Sequence, residues 1–157
     1  MRSPKNGKQL PKGFLVQVAA RIRQRLGGNL VAIVLFGSYA KGSAREASDL
    51  DLLVVARMLP PSRERADLLT DAFDDLVIET GIAVMPILMT ERELRLGMKS
   101  LGPLMFGLVT GYQIVWGKLP LLTKWERFVK DRFRLSRKYD AWIIKDPTNL
   151  RLKPNLT

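Results

Sequence analysis

Four residues carry the chemistry that can be read directly from this chain: a Gly37-Ser38 pair and, after ten intervening residues, Asp49 and Asp51. Asp49 and Asp51 stand at i and i+2, so on a strand their carboxylates leave the same face close together. Two such anions repel, and a divalent cation between them relieves the repulsion. A cation that also bridges phosphate oxygens would orient a phosphoryl centre for in-line attack. Gly37 lets the backbone approach a ligand closely, and Ser38 offers a hydroxyl and an amide. Together they read as a phosphate cradle without the lysine spacing of a P-loop. Each half alone is common, since Gly-Ser turns abound and an Asp-x-Asp at a strand end is often a solvated edge. Their order and spacing together favour the chemical reading.

The elements around these residues fit that role. Phe14, Leu15, Val18, Ala19, Ile22 and Leu26 recur at helical spacing, and Gly27-Gly28 closes a first helix that begins after Pro11. Leu30 to Phe36 is a short apolar run with β-branched residues, which predicts a strand buried on both faces and leading straight into Gly37. Residues 49–55 form a second strand with the carboxylates at its entry. Pro60-Pro61 opens a helix expected from Ser62 to Glu79, with Ala66, Leu69, Phe73, Leu76 and Val77 inward. Residues 82–89 read as a third strand, in which Pro86 demands an edge or a bulge because it cannot donate to a ladder. Thr90 and Glu93 form a capping box for a helix to about Lys99, and Gly102-Pro103 begins another that Gly111 ends. Residues 112–116 suggest an edge strand. Trp125, Phe128, Val129, Arg132 and Phe133 predict a basic amphipathic helix reaching about Tyr139, followed by a polar tail.

Composition limits the rest. The chain has 157 residues, 46% of them hydrophobic, which suits one folded α/β (α+β) domain: a small mixed sheet flanked by helices. We expect a flexible basic arm over 1–10, the catalytic domain over 11–117, and a basic helix and tail over 118–157 packed on or extending it. There is neither Cys nor His. This excludes disulfides, thiolate metal sites and histidine bases, so a metal would be hard and oxygen-bound, Mg²⁺ or Mn²⁺. No long uncharged apolar run or secretory h-region is present, so a soluble cytoplasmic protein is expected. Residues 1–28 carry seven Lys/Arg and no acid, and residues 118–157 carry a net +7, whereas residues 29–117 carry a net −3. The aromatics Trp125, Phe128, Tyr139 and Trp142 interleave with cations at the C-terminal end. They could stack RNA bases, anchor a protein partner, or simply complete the core beneath a solvated basic face.

The segment VLFGSYAKGSAREASDLDLLVV resembles the signature of the DNA polymerase β-like nucleotidyltransferase superfamily, and in particular its minimal nucleotidyltransferase branch. The likeness extends to Lys41, Gly42, Ser43 and Ser48. The resemblance implies transfer of a nucleoside monophosphate from an NTP such as ATP to an acceptor hydroxyl, with pyrophosphate released. Asp49 and Asp51 would hold Mg²⁺. Gly37 and Ser38 would bind the β- and γ-phosphates, with Lys41, Gly42, Ser43 and Ser48 in the same nucleotide-binding turn. Minimal members often pair with a helical HEPN-domain protein as the antitoxin that masks or adenylylates it. One departure stands out. Active members place a third carboxylate on the next strand, and here that position falls near Met85; Glu79 is the nearest acid. A catalytically weak or inactive nucleotide- or protein-binding module is therefore the main alternative. An RNA- or antibiotic-directed transferase is a further one, although only about 40 residues follow Gly117 where such enzymes usually carry a larger substrate domain.

Overall fold

The computed structural model describes residues 7–149 and 152–157. Helix α1 (Phe14–Leu26) leads through a 3₁₀ turn into strand β1 (Leu30–Phe36), short helix α2 (Gly37–Lys41) and strand β2 (Leu50–Ala56). Then come α3 (Ser62–Arg65), α4 (Asp74–Thr80), β3 (Val84–Thr90), α5 (Glu91–Lys99), α6 (Pro103–Thr110), β4 (Gln113–Gly117) and α7 (Pro120–Arg132). Strands β5 (Phe133–Ser136) and β6 (Ala141–Ile144) close the order. The main sheet runs β3-β2-β1-β4, with β1 antiparallel to β2 and β4, and β2 parallel to β3. This is the expected small mixed sheet between helices. The strand carrying Pro86 is at an edge, as its missing donor requires.

The alternation of β1 and β2 divides the core. Ala32, Val34, Phe36, Leu53 and Val55 face α5, α6 and α7, while Ile33, Leu35, Leu50, Leu52 and Val54 face α1 and α4. A strand buried on both faces reads as a continuous apolar run, which is why both strands were visible in the sequence. Asp51 pairs across to Phe36 and to Met85, so its side chain belongs to the α6–α7 face.

Three expectations are corrected. The helix expected from 62 to 79 is broken. After α3 and a 3₁₀ turn to Leu69, the chain turns at Asp71, whose φ is 59°, before α4 begins. The break leaves backbone carbonyls that α1 satisfies: Arg25 donates to the Thr70 carbonyl at 2.9 Å and Arg21 to that of Ala72 at 2.9 Å. Arg21 also forms a forked ion pair with Asp75, at 2.6 and 2.8 Å, which holds that carboxyl down at about 2. The arginines on the outer face of α1 thus stitch a helix that cannot continue.

The second correction lies at the C-terminal end, where the basic helix stops at Arg132 rather than Tyr139. Phe133 turns extended and is buried against Phe106, ring centroids 5.0 Å apart, and the chain returns as the β5–β6 hairpin. The polar tail also returns, burying Leu156 and placing the Thr157 carbonyl 2.7 Å from Lys124 Nζ. Third, part of the basic arm is anchored: the Lys8 amide donates to the Ala44 carbonyl at 2.8 Å and its Nζ pairs with Glu46 at 3.2 Å. Residues 1–6 of that arm lie outside the described residues.

Of the interleaved aromatics, Trp125 is fully buried and donates to the Met105 carbonyl, Phe128 stacks on it, and Trp142 donates to Thr110 Oγ1 at 3.0 Å. Only Tyr139 is openly exposed. The aromatics therefore complete the core, and the C-terminal surface is cationic without a row of free rings.

The capping box is present as read: Glu93 N donates to Thr90 Oγ1 and Thr90 N to Glu93 Oε2, while Arg65 grips the same carboxylate at 2.6 and 3.0 Å. The Arg65 guanidinium, with the Thr90 amide, holds the Glu93 carboxyl down at about 2. A depressed carboxylate stabilises the fold above its unfolded pKa and loses that contribution as pH falls toward its folded one. Glu93→Gln is therefore expected to lower stability by about 1 kcal/mol at pH 7. Urea titrations should show the gap to wild type closing between about pH 4.5 and 2.

Candidate active site

Helix α2 starts where β1 ends, so the apolar run that buries Phe36 also fixes the position of Gly37. Gly37 sits at φ +71°, and a Cβ built there would collide with the Asp51 carboxylate, lying 3.1 Å from its Cγ and 3.2 Å from its Cβ. The turn and the acid are in direct contact because Phe36 and Asp51 are register partners in the sheet. Only glycine permits both the backbone angle and that approach.

Asp49 is the exposed residue just before β2, and Asp51 is the second residue within it. Burial of Asp51, and next the charge of Asp49, push the Asp51 carboxyl up. Neither acid has an ion-pair or hydrogen-bond partner among the described residues. A partly buried carboxylate repelled by an exposed neighbour, without a protein cation, fits a hard divalent ion, and no third acid joins them: no cluster of three or more metal-ligating side chains occurs among the described residues. The position beside Asp51 on β3 is Met85, as the sequence led us to expect, and it is half exposed with Ile87 two residues on. Glu79 is not brought to this place. It is exposed on α4, whose Leu76 packs on the opposite face of the sheet.

The other expected nucleotide-binding positions divide into two groups. Gly42 and Ser43 both donate their amides to the Ser38 carbonyl, which closes the C-terminal end of α2. Ser48 Oγ accepts from the Arg45 amide at 2.8 Å and so locks the turn before Asp49. These three build the loop that sets the spacing between Ser38 and Asp49. Gly37, Ser38 and Lys41 are partly exposed, with Gly37 against the Asp51 carboxylate. The stem of Lys41 runs over Gly111, where a Cβ would come within 2.9 Å of its Cγ, so the end of α6 holds the lysine in place. Sequence reasoning did not bring Phe106 of α6, Asp140 in the turn before β6 or Trp142 of β6 to the cleft they line with Gly37 and Lys41. The signal lay in the alternation of Phe133 and Leu135 and of Trp142 and Ile144 about a polar turn.

Two substitutions probe this geometry. Gly37→Ala is expected to destabilise the fold by roughly 2 kcal/mol, from backbone strain and the displaced carboxylate. Asp51→Asn should do the reverse without metal: a carboxyl pushed up is penalised when ionised, so the variant should melt higher at pH 7. The difference should vanish below the ordinary carboxylate range, where wild-type Asp51 is neutral too. Calorimetry of both variants across pH 3–7 checks this.

Comparison with known proteins gives the family of the chain. Residues 15–98 match the family model described as a nucleotidyltransferase domain, which covers more than half of the chain. A Methanocaldococcus jannaschii protein provisionally named a protein adenylyltransferase is 42% identical over 106 residues, 67% of this chain and 71% of that one. Among solved structures, the spectinomycin adenyltransferase of Enterococcus faecialis, determined with ATP and spectinomycin, is similar in fold. It has a TM-score of 0.54 at 14% identity, covering 70% of this chain and 57% of that one. A Shewanella oneidensis complex of a tri-AMPylated HEPN toxin with its MNT antitoxin gives a TM-score of 0.45 at 18% identity, covering 72% and 77%. The chain belongs to the nucleotidyltransferase domain family.

Proposed function

We propose that this protein transfers a nucleoside monophosphate, with ATP as the first donor to test, to a hydroxyl on a protein. The observation that carries the reading is the Asp49–Asp51 pair, without a cation partner among the described residues and with Asp51 pressed against the Gly37 turn. Protein as the acceptor is supported by the name of the M. jannaschii relative at 42% identity. The motif's resemblance to minimal nucleotidyltransferases makes a helical HEPN-domain protein the partner to try first. RNA is the weaker choice, because Trp125 is fully buried and Phe128 and Trp142 pack, partly buried, against the same core cluster.

In this mechanism the Gly37 and Ser38 amides and the Ser38 hydroxyl hold the β- and γ-phosphates, and Lys41 offsets their charge. Asp49 and Asp51 are the residues that would hold Mg²⁺, which when bound neutralises phosphate charge and orients the α-phosphate. The acceptor oxygen attacks the α-phosphorus as the bond to the β-phosphate bridging oxygen breaks, and pyrophosphate leaves. The acceptor proton passes to water or to the substrate, since Met85 offers no base. A missing general base commonly lowers rate by about 10²–10⁴.

Met85 also favours a second reading, a nucleotide- or protein-binding module with little chemistry. One experiment separates the two. With α-labelled ATP, Mg²⁺ and cell extract, the wild type is expected to label a protein band. Asp49→Ala/Asp51→Ala should abolish the label, and Met85→Asp should raise the rate by about tenfold or more by restoring an acid beside Asp51. A wild type that binds ATP yet labels nothing supports the binding module instead.

A further inference from the structure

Ser38 and Asp49 reach their places through a loop that the sheet does not hold. Strand register sets Gly37 against Asp51, whereas Ser38 belongs to α2 and Asp49 precedes β2, so the spacing of these two depends on residues 42–48. Of that loop only Ala44 is buried. The loop is locked at each end, by the Gly42 and Ser43 amides donating to the Ser38 carbonyl and by Ser48 paired with Arg45. Its middle is held from outside, by the N-terminal arm.

Gly7 lies backbone to backbone on Gly42. A Cβ built at Gly7 would fall 2.7 Å from the Gly42 carbonyl carbon and 3.1 Å from the Ala44 amide nitrogen, so this approach requires glycine. The next residue, Lys8, donates its amide to the Ala44 carbonyl at 2.8 Å, and Leu10 packs, partly buried, against the core cluster that contains Phe14 and Ile22. We infer that residues 7–10 are a strap that positions the Ser38–Asp49 loop for nucleotide, with the Gly7 contact and the Lys8 amide as its fastenings. The inference rests on reading Gly37-Ser38 and Asp49-Asp51 as one nucleotide site.

Main-chain contacts carry the fastening. The Lys8 ammonium also pairs with Glu46 at 3.2 Å, but the Glu46 side chain is 92% exposed, and an ion pair so open to water holds little. None of Gly7, Lys8 and Gln9 is buried, and neither core cluster includes them. Undocking them leaves the packing on both faces of β1 and β2 intact and frees a loop whose own apolar anchor is one methyl group. A loop that samples other arrangements binds in proportion to the fraction in the competent one, so loss of the strap appears as weaker nucleotide binding and not as a lower melting temperature. The strap precedes residues 15–98, the stretch that matches the family model, and so stands outside the matched domain.

Two variants unfasten the strap without altering the site's own residues. Gly7→Val drives a branched side chain into the Gly42 carbonyl, and Lys8→Pro removes the amide donor, whereas Lys8→Arg keeps both amide and cation. Calorimetric titration with Mg²⁺-ATP, melting of the unliganded protein and hydrogen exchange over residues 38–49 test the inference together. Gly7→Val and Lys8→Pro should each weaken Mg²⁺-ATP about fivefold and speed exchange over residues 38–49, while Lys8→Arg binds as the wild type does and no unliganded melting temperature moves by more than about 2 °C. Unchanged affinity in both unfastened variants overturns the inference, and so does a loss of affinity matched by a large fall in melting temperature, which would make the arm merely structural. Weaker binding without faster loop exchange overturns it as well, giving the arm a direct contact with the nucleotide. A wild type that fails to bind Mg²⁺-ATP overturns the reading of the site itself, a failure seen before any variant is made.

Discussion

The contact between Gly37 and the Asp51 carboxylate is the constraint on which the rest of the site depends. The register of two antiparallel strands makes Phe36 and Asp51 neighbours, and the missing side chain at Gly37 lets the acid seat against the turn that follows Phe36. A group able to approach phosphate and a group able to hold a divalent ion are thereby fixed to one another by backbone, without depending on flexible side chains. The helices on either face exist, in energetic terms, to keep β1 and β2 buried. The packing of Leu35, Leu52 and Val54 against α1 and of Phe36 and Leu53 against α6 and α7 is what pins the register.

That arrangement carries an internal tension. Burial and the neighbouring Asp49 both oppose ionisation of Asp51, so the apo fold bears a charge it would be more stable without. Such strain is common where a protein awaits a counter-charge, and it is a reason to see the pair as a site and not a solvated edge. Asp75 and Glu93 show the contrast. Each has an arginine across from it, Arg21 and Arg65, and each is held down at about 2.

Local patterns carried the central part of the fold. The two apolar runs, Pro86 at an edge and the Thr90–Glu93 capping box all depend on neighbours a few residues away or on backbone chemistry, and each is present. What was not legible depends on partners distant in sequence. The broken helix before α4 is possible because Arg21 and Arg25, some 50 residues earlier, accept the task of satisfying its carbonyls. The β5–β6 hairpin was hidden because Phe133 continues the helical spacing of Trp125 and Val129 while its burial against Phe106 requires extended backbone. At the candidate site, the approach of the Gly37 turn to Asp51 follows from the two strands that the sequence made legible. The separation of Glu79 onto the other face was not legible, because sequence proximity to a strand does not say which face its helix covers.

The most direct test of the account is thermal unfolding of the wild type with ATP, in the presence of Mg²⁺ and in its absence with chelator. If the Gly37 turn and the Asp49–Asp51 pair form one site, ATP at 100 times its Kd should stabilise the protein by about 2.7 kcal/mol with Mg²⁺ and far less without it, and Asp49→Ala/Asp51→Ala should lose the difference. Equal stabilisation with and without Mg²⁺, or full retention of the effect in the double variant, would contradict a metal-dependent nucleotide site at this turn.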